Sequence, residues 1–127
     1  MNNKKILIIE DEPSMLNVLN DTFQSQGFEI LKAKNGEEGL TVALKDHPHL
    51  ILLDVLMPKM DGLTMLEKLR QDEWGKNAKV IILTNVNAET DRTIKAIVEN
   101  QPSYYLIKSD VKLDEVVSKA HEILSLP

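Results

Sequence analysis

Leu50-Ile51-Leu52-Leu53-Asp54, running on through Val55-Leu56-Met57-Pro58-Lys59-Met60-Asp61-Gly62, decides how the rest of the chain is read. Four consecutive aliphatics leave no polar alternation, so the stretch is expected to be a strand buried on both faces, as in a parallel sheet covered by helices. It stops at a carboxylate. In open parallel sheets, ligands and chemistry collect at the carboxyl ends of the strands, which makes Asp54 a candidate reactive group. Pro58 and the Asp61-Gly62 pair then require a turn before a helix can begin.

The flanking chain repeats this grammar. Upstream, Lys4 to Ile9 is a short apolar run that stops at Glu10, Asp11 and Glu12. Pro13 suits a first helical turn, and Met15, Leu16, Leu19 and Phe23 recur at helical spacing until Gly27. Phe28 to Ala33 reads as a second strand. Asn35-Gly36 followed by Glu37 and Glu38 predicts a capped helix with Leu40, Ala43 and Leu44 as its buried stripe. The segment His47-Pro48-His49 breaks that helix; two histidines with no third ligand nearby read as surface loop rather than metal site. Downstream of Gly62, Leu63, Leu66 and Leu69 predict a third helix ending near Asp72, with Trp74 anchoring the loop beyond.

Lys79 to Thr84 is again apolar until a hydroxyl ends it. A fourth helix is expected from Asn87, carrying Ile94, Ile97 and Val98. Tyr104 to Lys108 is a fifth strand ending in an amine, and Leu113, Val116, Val117, Ala120 and Leu124 stripe the last helix. Five strand-helix units give a three-layer α/β architecture, a doubly wound five-stranded parallel sheet with both faces covered.

Composition narrows the function classes. At 127 residues the chain is expected to be one domain, 1–127, with nothing left for an effector. Its 20 acidic and 15 basic side chains include no basic cluster able to track a phosphate backbone, which argues against direct nucleic-acid binding. The absence of cysteine excludes disulfides, thiolate metal sites and thiol nucleophiles. No apolar run approaches membrane-spanning length, and no leader suggests export, so a soluble cytoplasmic protein is expected.

The strand ends hold Glu10 and Asp11 after the first, Asp54 after the third, Thr84 after the fourth and Lys108 after the fifth; the second contributes no such group. With strand order 2-1-3-4-5, the first and third strands are neighbours and a crevice opens between Asp11 and Asp54. Carboxylates gathered there repel one another, and an all-oxygen ligand set favours Mg2+ as the remedy. Lys108 and Thr84 would hold the oxygens of a phosphoryl group, and Asp54 would be the nucleophile that takes it.

Together, Ile9-Glu10-Asp11-Glu12-Pro13, Leu53-Asp54 through Met57-Pro58, Met60-Asp61-Gly62, Leu83-Thr84 and Tyr105 through Lys108 resemble a response-regulator receiver domain over the whole chain. The resemblance implies a flavodoxin-like fold of order 2-1-3-4-5 and a role in two-component signalling. It implies that Asp54 accepts phosphate from a histidine kinase or phosphotransfer protein, and that Glu10, Asp11, Asp54 and the backbone carbonyl of Leu56 surround Mg2+. It also implies that Thr84 and Tyr105 are switch residues, and that a downstream protein partner docks through the fourth helix, fifth strand and fifth helix. Such a domain catalyses only its own phosphorylation and dephosphorylation.

Three other readings compete. An aspartate-nucleophile phosphatase would need a second acid two residues after Asp54, where Leu56 stands. A flavodoxin-like electron carrier would need a first loop rich in Ser, Thr and Gly, and Glu10-Asp11-Glu12 would repel its phosphate. A degenerate receiver that binds a partner without being phosphorylated is the non-enzymatic alternative.

Overall fold

The computed structural model describes residues 3–54, 62–84, 104–107 and 113–125. The strands are β1 (Lys5–Ile9), β2 (Glu29–Ala33), β3 (Leu50–Asp54), β4 (Val80–Thr84) and β5 (Tyr104–Ile107). The helices are α1 (Pro13–Ser25), α2 (Gly36–Asp46), α3 (Gly62–Arg70) and, at the C-terminal end, α4 (Leu113–Ile123), with a short 3-10 turn at Gly75–Asn77. All strand pairs are parallel, in the order β2-β1-β3-β4-β5. The expected fourth helix, with Ile94, Ile97 and Val98, lies outside the described residues. No helix among the described residues is long and apolar enough to cross a membrane.

Alternation along the three central strands builds two cores. Ile6 and Ile8, Leu50 and Leu52, and Ile81 and Leu83 pack against Leu16, Leu19 and Phe23 of α1 and Val116 and Ala120 of α4. Their sequence neighbours, Leu7 and Ile9, Ile51 and Leu53, and Val80 and Ile82, pack against Ala43 of α2 and Leu63, Met65, Leu66 and Leu69 of α3. Successive side chains in a strand point to opposite faces, so a strand that is aliphatic at every position feeds both layers.

Helix α2 begins as its sequence requires. Asn35 is extended, and its side-chain oxygen accepts from the Glu38 N–H at 2.8 Å. Its buried face is Gly36, Gly39 and Ala43, with Leu40 half-buried, whereas Leu44 is exposed. A step of 100° per residue turns position 44 past the stripe that 36, 39, 40 and 43 define. Leu113 is likewise exposed: as the first residue of α4 it stands on the rim of an apolar groove with Met15 and Val18 of α1.

The two histidines lie on the surface, each with a structural role. His47 takes a left-handed conformation after α2, and its ring stacks on Trp74 with centroids 4.4 Å apart. Trp74, packed partly against the α2/α3 core, anchors the loop before β4. Asp72 accepts from the Trp74 and Gly75 N–H groups, and the Arg70 guanidinium donates to the carbonyls of Gly75 and Ala78. This polar clamp is the reason α3 ends at Arg70, short of Asp72.

Candidate functional site

Register and pleat bring two acids to one place. Ile9 of β1 pairs with Leu53 of β3, so the next residues, Glu10 and Asp54, stand level at the carboxyl ends of adjacent strands. Each continues the phase of the aliphatics facing α1, namely Ile6 and Ile8 before Glu10, and Leu50 and Leu52 before Asp54. The Glu10 N–H donates to the Ala33 carbonyl at 3.0 Å, extending the ladder with β2 one residue beyond β1. Both carboxylates are buried, with Glu10 1 % and Asp54 3 % exposed. Charged groups so deep in a fold need compensation, and their shared location marks a site rather than a surface exit.

Asp11, which is exposed, completes the group: Glu10, Asp11 and Asp54 each offer a carboxylate oxygen, all within 4.8 Å of one another. The turn into α1 holds this arrangement. The Glu12 N–H donates to Oε2 of Glu10 at 3.2 Å, Pro13 opens the helix, and the Ser14 hydroxyl donates to Oε1 of Glu12 at 2.9 Å. Three oxygen donors carrying three negative charges fit a hard divalent cation, which would relieve their mutual repulsion; the donor set suits Mg2+.

Of the other expected site residues, Thr84 is placed by its backbone at the end of β4, one step past Leu83, the register partner of Asp54. Tyr105 lies in β5 opposite Ile82, and Ile107 pairs with Thr84. Leu56 and Lys108 lie outside the described residues. The strand thought to bring no chemical group does bring two: Lys32 of β2 and Lys34 just beyond it line a cleft that also contains Asp11. Alternation along Glu29–Ala33 marks outward positions but cannot tell which neighbour an outward side chain meets.

The family model for the response regulator receiver domain matches residues 6–121. The chain belongs to the response-regulator receiver family. This receiver is 38% identical over 92 residues, 72% of its length, to the probable transcriptional regulator ycf27 of Cyanophora paradoxa. It covers only 37% of that relative, and spans similarly little of the other first curated relatives it matches. It is 37% identical over 84 residues to the sporulation initiation phosphotransferase F of Bacillus subtilis, covering 66% of each chain. Among solved structures, the response regulator protein TrrA of Thermotoga maritima, in complex with Mg(2+)-BeF, superposes with a TM-score of 0.79 at 32% identity. That likeness covers 94% of this receiver and 98% of TrrA.

Proposed function

We propose that residues 1–127 form one phospho-accepting receiver unit in which Asp54 takes a phosphoryl group from a histidine kinase or phosphotransfer protein. The observation that carries this reading is the convergence of Glu10, Asp11 and Asp54 at the carboxyl ends of adjacent strands. An oxygen of Asp54 attacks phosphorus and forms an O–P bond. The donor P–N bond breaks, and its electron pair remains on the imidazole nitrogen, which takes up a proton. Burial favours Asp54 over the exposed Asp11 as the acceptor, because a carboxylate stripped of water is a stronger nucleophile than an exposed one.

Glu10, Asp11, Asp54 and the backbone carbonyl of Leu56 would hold Mg2+, which when bound supplies positive charge against the developing phosphoryl charge. Lys108 and Thr84 would donate to the phosphoryl oxygens. Thr84 and Tyr105 would relay the modification to a downstream protein partner through the fourth helix, β5 and the last helix. The complex of TrrA with Mg(2+)-BeF supports the metal assignment, since TrrA shares this fold at 32% identity. The proposed setting is the cytoplasm, without direct nucleic-acid contact by this unit.

Incubation with acetyl phosphate and Mg2+ should add the mass of one phosphoryl group, and Asp54→Asn should abolish that gain. Undiminished labelling of the variant would refute the assignment of Asp54. No labelling of the parent protein would favour a receiver that binds its partner without being phosphorylated.

A further inference from the structure

The cleft beside the acid cluster has a composition the phosphoacceptor chemistry does not yet use. It measures about 420 Å3 and is lined by Asp11, Pro13, Leu16, Asn17, Lys32, Lys34 and Glu38. Register pairs Lys32 with Ile8, whose side chain belongs to the layer under α1, which is why Lys32 meets Leu16 and Asn17 of that helix. Both lysines are exposed, and neither takes part in an ion pair among the described residues. Asp11 belongs both to this cleft and to the acid cluster, so the two adjoin at that residue.

A phosphoryl donor is an anion, and it approaches a chain of formal charge −5 at the point where three carboxylates converge. Exposed charges interact across roughly a Debye length, about 8–10 Å at ordinary ionic strength. The lining of the cleft itself presents two cations, Lys32 and Lys34, against Asp11 and one further anion, Glu38. We propose that Lys32 and Lys34 are specificity-determining cations that draw a small anionic acyl-phosphate donor into the cleft beside Asp11. In that reaction the Asp54 oxygen forms the new bond to phosphorus while the acyl O–P bond breaks, its electron pair leaving on the carboxylate product.

This proposal rests on the phosphoacceptor reading of Asp54, and it separates approach from chemistry. Steering raises the second-order rate at low donor concentration, and salt screens it away. The same positive charges oppose a cation, so they weaken Mg2+ binding at the acids. One pair of lysines thus acts in opposite directions on the two ligands, which a merely structural role would not produce.

The test compares the parent with Lys32→Gln/Lys34→Gln, using acetyl phosphate as donor and intact mass to follow labelling. At low salt the variant should be labelled about three- to tenfold more slowly, and the gap should close at high salt. Calorimetric titration with Mg2+ alone should show tighter binding by about twofold. Lys32→Arg/Lys34→Arg should retain the parent rate, and Lys45→Gln/Lys76→Gln, the same charge change away from the cleft, should leave both measurements unaltered. Equal low-salt rates, a deficit that persists at high salt, or Mg2+ affinity unchanged or weakened would each overturn the role of the lysines. Failure of the parent itself to be labelled would instead overturn the phosphoacceptor reading on which it depends.

Discussion

His49 shows how one residue couples the loop before β3 to β1. Its Nδ1 accepts the Lys5 N–H at 2.9 Å, and its own N–H donates to the Lys5 carbonyl at 2.9 Å. The first bond requires a neutral ring. Burial, and then the positive charges of Lys4, Lys5 and Lys79, hold the His49 imidazole below its ordinary value. A group whose value falls on folding gives its full contribution above the unfolded-state value, about 6.5, and loses it as pH falls through the folded-state value. Between about pH 7 and pH 5 the urea midpoint should therefore fall less for His49→Ala than for the parent. Parallel curves for the two proteins would remove His49 from the pH response.

At the level of elements, the sheet sets how near a helix can lie. A Cβ added to Gly39 of α2 would press on the Ile9 side chain at the carboxyl end of β1, meeting Cδ1 first, then Cγ1 at 2.8 Å and Cγ2 at 3.1 Å. Alanine favours a helix interior over glycine by about 1 kcal/mol, but overpacking a dense core costs about 1–3 kcal/mol. The second effect wins, because Ile9 is the residue immediately before Glu10 and is 1 % exposed. Gly39→Ala should lose about 1 kcal/mol in urea denaturation, and should weaken Mg2+ binding as β1 shifts under its acids. A stabilised variant would show that α2 can retreat from the sheet at little cost.

For the molecule as a whole, the site is a charge imbalance that folding imposes and a cation can relieve. A ligand that binds only the native state stabilises it by RT ln(1 + [L]/Kd), about 2.7 kcal/mol at a hundredfold excess over Kd. Mg2+ should thus raise the melting temperature, chelation should reverse the rise, and Asp11→Ala should lose most of it. Asp11 is the informative position because it is exposed, so its removal leaves the buried packing around Glu10 and Asp54 in place. An Asp11→Ala protein with the full Mg2+ increment would place the ion elsewhere.

By itself the sequence determined, among the described residues, the strands and helices, and placed Glu10, Asp54 and Thr84 at strand ends. A strand buried on both faces must be aliphatic throughout, as in Leu50–Leu53, and a helix on a sheet must repeat its apolar face, as in Leu16, Leu19 and Phe23; both are patterns local to the chain. Only the tertiary structure decided that Glu10 and Asp54 stand level on the α1 side, that Leu44 and Leu113 are exposed, and that Lys32 and Lys34 share a cleft with Asp11. The local pattern was also silent on the Arg70 and Asp72 clamp, since polar residues after a helix read simply as loop. Apart from that clamp, which spans only a few residues, these are relations of register and packing between segments distant along the chain. They are fixed when the helices settle on the twisted sheet, a step to which a hydrophobic period of 2 or 3.6 residues is blind.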